Sequence, residues 1–215
     1  RTTLLLSSAA SDVYKRQVIM IDIFTCLWGN KYNRSFVENI KNKIDKHLTI
    51  PHRFHCITDN PIKEYDLPVR YNVLKGMFIK MSLFEYTGKC LYFDIDAEIN
   101  DNIDFLADDF SGLTVLDASN RKEPQSDFKF RINNNTMINT SIMRWSDQRH
   151  IFKKFMEKRD MYLRVYQATD RFIYNEGFTH TCFNMSKISS WKENIDSNSI
   201  MLYNGKYNEL QPGHN

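Results

Sequence analysis

The chain has 215 residues, of which 42% are hydrophobic and 13% aromatic, a composition that supports a folded core and excludes a disordered or collagen-like chain. The formal charge of +3, most of it contributed by residues 1–17, gives no electrostatic basis for nucleic-acid binding. No apolar run is long enough to span a bilayer, so we expect no transmembrane segment.

Residues 1–17 are interpreted separately from the rest of the chain. Their segment SSAASDVYKRQ, residues 7–17, resembles translated adapter or linker sequence. We therefore expect residues 1–17 to be a non-native tail and residues 18–215 to form a single domain.

Strand-like and helix-like patterns alternate through the first half of the chain. In the first predicted helix every fourth residue from Phe36 to Leu48 is apolar, and Asn33 or Ser35 is a candidate for its cap. The β-α-β-β-α-β order predicts an α/β fold with a largely parallel sheet covered by helices on both faces. The predicted strands cover 18–27, 53–58, 69–74 and 89–95, the last of them central, and the second helix covers 78–86.

The second half of the chain is less regular. It contains a polar, charged stretch over 119–130 that is typical of a surface loop. The remaining predicted elements are strands over 113–116, 137–145, 188–191 and 200–203, and helices over 150–165 and 169–175.

Four cysteines occur in the chain, and none belongs to a CxxC pair, which argues against a zinc knuckle or a redox motif. Three of them lie in apolar, strand-like runs, so we expect reduced, buried thiols of a cytoplasmic protein. The four cysteines are Cys26, Cys56, Cys90 and Cys182.

Two carboxylates, Asp94 and Asp96, directly follow the apolar run KCLYF. Side chains two residues apart face the same way on an extended strand, and two like charges there are costly unless a cation joins them. Carboxylate oxygens favour Mg²⁺ or Mn²⁺, which neutralise a departing diphosphate. In a parallel sheet such a strand end is also where ligands bind. The alternative for an isolated Asp-x-Asp is a solvated loop or a helix cap.

Four segments give the chain a resemblance to the GT-A fold glycosyltransferases, whose Asp-x-Asp motif binds a divalent metal and a nucleotide diphosphate. It is similar in particular to small bacterial and phage-type enzymes related to the glycogenin/galactosyltransferase group, over residues 21–205. The segments are CLWGNKY (26–32) with FVENI (36–40), PHRFHCITDNP (51–61), KMSLF (80–84) with GKCLYFDID (88–96), and NTSIMRW (139–145).

The resemblance implies a metal-dependent glycosyltransferase with a Mn²⁺ or Mg²⁺ cofactor. Its donor would be a nucleotide sugar, usually a UDP sugar, and its acceptor a glycan, a lipid-linked glycan or another hydroxyl compound. The implied roles are a base and ribose pocket of Thr25, Trp28, Lys31 and Tyr32, a nucleobase contact from Asp59, ribose and metal contacts from Asp94, metal ligation by Asp96, donor or Asp94 pairing by Lys80, a sugar contact from Asn139, and a place near the reaction centre for Asp170.

The sequence leaves an ordinary structural alternative open for most of these residues. Asn139 is harder to explain structurally, because a buried amide needs hydrogen-bond partners. The alternatives are solvated charges for Lys31 and Lys80, core packing for Trp28 and Tyr32, turn chemistry for Asp59, and a helix cap for Asp170.

One departure from the family pattern concerns the late histidine that completes the metal site. Asn204 aligns with that histidine, and an amide oxygen is a weaker ligand for the same ion. Lys206 is placed to neutralise the diphosphate, and His214 is a less favoured substitute ligand.

For the reaction itself, Asp117 and Asp170 are the candidate bases if transfer inverts the anomeric centre, and the sequence does not choose between inversion and retention. We expect action in the cytoplasm, with a peripheral place at the inner membrane face as an option. A haloacid-dehalogenase phosphatase is disfavoured because strands precede the Asp-x-Asp, and a nucleotidyltransferase because a glycine-rich phosphate loop is absent. The remaining alternative is a catalytically degenerate carbohydrate- or nucleotide-binding protein on the same fold.

Overall fold

A computed structural model describes residues 20–74, 76–119, 136–190 and 199–202, which form ten strands, four α-helices and three short 3₁₀ helices. The strands are β1 (Ile21–Leu27), β2 (His52–Thr58), β3 (Asp66–Pro68), β4 (Cys90–Phe93), β5 (Ala97–Ile99), β6 (Thr114–Asp117), β7 (Ile138–Trp145), β8 (Thr181–Cys182), β9 (Ile188–Ser190) and β10 (Ile200–Leu202). The α-helices are α1 (Arg34–His47), α2 (Arg149–Glu157), α3 (Arg159–Val165) and α4 (Thr169–Asn175), and the 3₁₀ helices cover Gly76–Glu85, Asp104–Ala107 and Met185–Lys187.

The main sheet has seven strands in the order β3-β2-β1-β4-β7-β6-β8. Its pairs are parallel from β3 to β4 and again between β6 and β8, whereas β7 runs antiparallel to both neighbours. A second sheet of three strands, β5-β10-β9, follows the end of β4. The predicted α/β class, the largely parallel sheet and the central position of the 89–95 strand are therefore confirmed.

Two apolar cores lie on opposite faces of the main sheet. On one face Phe24 and Trp145 pack with the Gly76–Glu85 helix and with α2 to α4. On the other face Ile23 and Leu91 pack with α1 and the small sheet. Strands that are buried on both sides need apolar residues at successive positions, which explains the continuous apolar run in β4.

Helix α1 begins at the predicted cap. Asn33 is the N-cap residue, and its Oδ1 accepts a hydrogen bond from the Ser35 backbone N–H at 2.9 Å. The buried face consists of Val37, Ile40 and Ile44, whereas Phe36 is only partly buried. The predicted burial of Phe36 was therefore off by one position: its ring instead contacts the Tyr32 ring in the preceding loop at a tilted angle of 57°, with 4.9 Å between ring centroids.

Replacing Asn33 with alanine is expected to lower the free energy of unfolding by about 1 kcal/mol, because the amide of Ser35 loses its partner. Urea unfolding measures this loss. Asn33→Asp keeps a carbonyl-type acceptor and is the matched control that should retain stability. Equal losses in the two variants would show that the cap does not stabilise α1.

Some elements of the structure differ from the prediction. The 69–74 strand is wrong: β3 lies earlier, at Asp66–Pro68, and the chain then turns, with the Leu74 N–H bonded to the Tyr71 carbonyl at 2.9 Å. The 78–86 helix is of the 3₁₀ type, and nearly all of its side chains are buried. Strands β5 and β8, which are only three and two residues long, were not predicted.

The predicted 150–165 helix is two helices, because the backbone of Lys158 leaves the helical region at φ −132°. The break changes the helix direction so that Phe155 and Tyr162 both contact Phe172, at centroid distances of 5.0 and 4.9 Å. Aromatic contacts of this kind contribute about 0.5–1.5 kcal/mol each beyond area burial.

All four cysteines are free thiols, and the predicted burial is confirmed for Cys56 and Cys90, whereas Cys26 is only partly buried. Burial raises the pKa of Cys56 and of Cys90 to about 12. Cys182 is exposed. Among the residues described, none of the helices combines the length and apolar character needed to cross a membrane. The predicted tail, residues 1–17, lies outside the described residues, and the single-domain assignment stays a prediction.

Candidate active site at the carboxyl edge of the sheet

The parallel strands β1, β2, β4 and β6 end at the same edge of the main sheet, where antiparallel β7 begins. Phe93 at the end of β4 pairs with Ile142, and Asp117 at the end of β6 pairs with Ile138. This register brings several predicted site residues to one edge although they are far apart in sequence. They are Trp28, Asp59, Asp94, Asp117 and Asn139.

The Asp-x-Asp segment is a turn. The Ala97 N–H donates to the Asp94 carbonyl at 3.1 Å, so the chain reverses between Asp94 and Asp96 before β5 begins. The prediction rested on a strand that stays extended, and that premise is wrong. The two carboxylates consequently have different partners, one in the core of the sheet and one in the loop after β1.

Asp94 is held from the core side by two donors. Lys80 Nζ lies 2.6 Å from Asp94 Oδ1, and the Tyr92 hydroxyl donates to the same oxygen at 2.6 Å. Lys80 is 6% exposed and also donates to the Thr140 carbonyl at 3.2 Å. The predicted pairing of Lys80 with Asp94 is therefore present, and the solvated-charge alternative for this lysine is wrong.

Asp96, which is 8% exposed, accepts a hydrogen bond from the Tyr32 hydroxyl at 2.6 Å. Burial and the bond to Asp96 raise the pKa of Tyr32, so its hydroxyl stays protonated and continues to donate. Lys31 Nζ lies 4.9 Å from the centre of the Tyr32 ring. The loop after β1 thus contacts the Asp-x-Asp turn directly, a contact that joins residues 64 positions apart.

A cavity of about 170 Å³ opens beside the ends of β1 and β2. Its Trp28 wall also packs against the core, and the Gly29 N–H donates to Asp59 Oδ2 at 3.4 Å. Gly29 adopts a φ of +69°, which glycine reaches without strain. The cavity is lined by Trp28, Thr58, Asp59, Pro68, Val69, Asn72 and Leu74.

Thr25 lies beneath this edge and is 0% exposed. Its hydroxyl donates to the Phe93 carbonyl at 3.0 Å and so ties β1 to β4 just before Asp94. A side chain in this position supports the pocket from below, and it presents no surface to a ligand. Its predicted place in the pocket lining is corrected accordingly.

The three predicted catalytic residues have separate local roles. Asn139 Oδ1 accepts from the Ser141 N–H at 2.7 Å, which satisfies its partly buried amide oxygen. Asp117 is exposed, and the Ser119 backbone N–H lowers its pKa by donating to it at 2.8 Å. Asp170 is 7% exposed in the first turn of α4, where Ala168 is the N-cap residue, and its Oδ1 accepts from the Arg171 backbone N–H at 2.9 Å, so a structural role at the start of the helix stays open.

Helix α4 nevertheless lies close to the edge, since it packs against both β7 and the Gly76–Glu85 helix that carries Lys80. The Thr169 hydroxyl donates to the Met77 carbonyl at 2.8 Å and fixes this contact. Asp170 therefore lies on a helix that contacts the helix carrying Lys80, whereas Asp117 lies at the end of β6.

The donor set of the Asp-x-Asp turn fits a hard divalent cation in part. Among the described residues the side-chain contacts of Asp94 fall on Oδ1, which leaves Oδ2 as a ligand oxygen. No cluster of three or more histidine, cysteine, aspartate or glutamate side chains suited to a metal occurs within the described ranges. Asn204 and Lys206, predicted as metal ligand and diphosphate contact, lie outside those ranges, as does His214.

Several side chains of this site were not predicted from the sequence, and Tyr92 and Asn72 are the polar ones among them that matter most here. Tyr92 precedes Asp94 by two residues on β4, so strand alternation already placed both on one face. Asn72 lines the cavity from the turn after β3, in a stretch that had been predicted as a strand. No signal in the sequence distinguishes Asn72 from an ordinary loop residue.

No family model and no curated protein matches this sequence. Solved structures do match its fold. The galactosyltransferase LgtC, solved with donor and acceptor sugar analogues, aligns with a TM-score of 0.56 at 17% identity over 85% of this chain and 86% of its own. The glycosyltransferase GlyE of Streptococcus pneumoniae TIGR4 aligns with a TM-score of 0.54 at 10% identity over 76% of this chain and 45% of its own.

At these identities the similarity concerns the fold. The chain has the α/β fold of these glycosyltransferases, as the four sequence segments predicted.

Proposed function

We propose that the chain is a glycosyltransferase that moves a sugar from a nucleotide-diphosphate donor, with a UDP sugar as the first choice, to an acceptor hydroxyl. The observation that carries this proposal is the carboxyl edge of the sheet, where the Asp-x-Asp turn paired with the buried Lys80 and a cavity lie along the same edge of a glycosyltransferase fold. LgtC was solved with donor and acceptor sugar analogues, which supports a two-substrate reaction on this fold.

In this proposal the nucleobase enters the cavity beside Trp28. An indole wall offers a stacking surface to any base. The Asp59 carboxylate only accepts hydrogen bonds, so it selects a base edge with an N–H group, and the Asn72 amide both donates and accepts. A uracil edge, which alternates carbonyl oxygens with one N–H, suits that combination.

The diphosphate then lies toward the Asp-x-Asp turn. Asp94 through Oδ2 and Asp96 would hold Mn²⁺ or Mg²⁺, with Asn204 as a further predicted ligand. Such a cation, when bound, neutralises charge that develops on the departing diphosphate. Lys80 holds the Asp94 carboxylate in place through their ion pair, and Lys31 adds positive charge at the same edge. Lys206 remains a predicted diphosphate contact.

On the acceptor side we place Asn139 and Asp170. Of the two candidate bases Asp117 is the weaker, because its pKa is lowered by the Ser119 N–H and it is exposed to water. Asp170 is buried beside the helix that carries Lys80, which favours it as the carboxylate nearer the transferred sugar.

The test is thermal unfolding with UDP, GDP, CMP and ADP, each in Mn²⁺ and then in EDTA. Ligand at about 100 times its dissociation constant should stabilise the fold by about 2.7 kcal/mol. We expect UDP to produce that shift only with Mn²⁺, and UDP-sugar hydrolysis to depend on Mn²⁺ as well. Binding without hydrolysis or transfer would favour the degenerate binding protein, and a well-folded sample that binds none of the four would contradict the proposal.

Asp59→Asn is expected to weaken UDP binding by about 10-fold, because a single amide cannot present two acceptor oxygens to the base. Isothermal titration with UDP and Mn²⁺ measures the change. Glu64→Gln removes an exposed carboxylate from the same β2–β3 loop and is the matched control. If both variants bind UDP like the parent chain, the base does not lie against Asp59.

A further inference from the structure

We propose that Tyr92 is a positioning residue that orients the Asp94 carboxylate toward a divalent cation, an inference that rests on the proposed function. The sequence predicts Tyr92 only as part of an apolar strand, and its ring does lie in the apolar core. Its hydroxyl is the part that reaches the edge, where it donates to Asp94 Oδ1 at 2.6 Å.

The position of this hydroxyl is determined by burial of the ring. Tyr92 is 1% exposed on the central strand β4 and packs within the cluster that contains Phe24 and Trp145. A close-packed core restricts the ring to a narrow range of positions. The direction of the O–H bond to Asp94 therefore follows from the fold of β4 itself.

Lys80 reaches the same carboxylate oxygen. Its Nζ lies 2.6 Å from Asp94 Oδ1 and 5.0 Å from the centre of the Tyr92 ring, and it donates to the Thr140 carbonyl at 3.2 Å. Two donors that converge on Oδ1 from the core leave Oδ2 turned away from them. In the described part of the chain Oδ2 has no other side-chain contact, and it is the oxygen available to a cation.

The two donors contribute differently. Lys80 cancels the charge of Asp94, and a second positive group in its place would repel a cation. The Tyr92 hydroxyl fixes the same oxygen without adding charge. Without that hydroxyl the carboxylate can rotate so that both oxygens share the Lys80 ammonium, which withdraws Oδ2 from the edge. Outer-shell partners of this kind typically account for about 10- to 100-fold of metal affinity.

A matched control pair exists elsewhere in the molecule. The Tyr65 hydroxyl donates to Glu38 Oε1 at 2.8 Å, so it also joins a phenol to a carboxylate. Glu38 lies on α1 and its side chain is 40% exposed, with Lys63 at 3.7 Å. Tyr65→Phe thus removes an equivalent hydrogen bond without touching the carboxyl edge.

The experiment measures Mn²⁺ binding in the presence of UDP by isothermal titration and by electron paramagnetic resonance of free Mn²⁺. Tyr92→Phe is expected to weaken Mn²⁺ about 10- to 100-fold, whereas Tyr65→Phe should bind Mn²⁺ like the parent chain. Thermal unfolding in EDTA tests the fold of each variant separately.

Unchanged Mn²⁺ affinity in a folded Tyr92→Phe variant would overturn the positioning role and leave the proposed function intact. An equal loss in Tyr65→Phe would also overturn it, since the effect would then be general destabilisation. If the parent chain itself binds no Mn²⁺ with UDP, the proposed function and the positioning role both fail.

Discussion

Asp96→Asn is expected to remove Mn²⁺-dependent binding of UDP and to reduce sugar transfer by about 100-fold or more, while the chain stays folded. The amide oxygen of asparagine still accepts the hydrogen bond that Tyr32 now donates to Asp96 at 2.6 Å. The substitution therefore preserves the Tyr32 hydrogen bond between the loop after β1 and the turn, while it removes the negative charge and one acceptor oxygen. Titration with Mn²⁺ and UDP, together with a donor-hydrolysis assay, measures both effects.

Asp101→Asn is the matched control for this variant. Asp101 is an exposed aspartate shortly after β5, and its Oδ1 accepts from the neighbouring Asn102 N–H at 2.7 Å. It should leave binding and transfer unchanged. Full Mn²⁺-dependent UDP binding by a folded Asp96→Asn protein would show that the turn does not hold the cation, and the search would then move to the residues around Asn204.

The main sheet could be predicted because its strands carry their signal locally. The β4 run is apolar at every position, which identifies a strand that is buried on both faces, and Asp94 must then lie at its carboxyl end. The edge location of Trp28 and Asp59 follows from the same rule for parallel strands. These predictions needed only the parallel direction of β1, β2 and β4, which the structure confirms.

The partners of the site residues could not be predicted in the same way. Asp96 bonds to Tyr32, 64 residues earlier, because the turn after Asp94 reverses the chain toward the β1 loop. The rule that side chains alternate along a strand assumes an extended chain, so it cannot predict such a reversal. Asn72 and the burial of Thr25 likewise depend on how the β3 region turns and on how β1 contacts β4.

Asp66→Asn is expected to destabilise the fold by about 3 kcal/mol at neutral pH, because it breaks a buried, charge-assisted network. The Asp66 side chain is 0% exposed, and it bonds to Arg34 at 2.7 Å and to the backbone N–H groups of Ile62 and Lys63 at 2.8 and 2.9 Å. These contacts join α1 to β3 and to the loop before it, and Pro68 at the end of β3 lines the cavity. Asparagine has one acceptor oxygen for three donors.

The same network predicts a pH dependence. Burial alone would raise the pKa of Asp66, but the bonds from Ile62, Arg34 and Lys63 outweigh it, and the pKa is lowered. A depressed folded-state pKa means that the stabilisation is complete above the unfolded value of about 3.9 and is lost as the pH falls through the folded value. The stability gap between the parent chain and Asp66→Asn should therefore narrow on acidification.

Urea unfolding at pH 7 and at about pH 3 measures this gap. Asp160→Asn is the matched control, since Asp160 pairs with Arg159 at 2.7 Å but its side chain is 71% exposed. An exposed ion pair contributes less than about 1 kcal/mol, so the unfolding free energies of the parent chain and of Asp160→Asn should differ little at either pH. If the stability difference between the parent chain and Asp66→Asn is the same at both pH values, the ionised Asp66 carboxylate is not what joins α1 to β3. Packing of Leu67 and Pro68 would then be what holds this wall of the cavity.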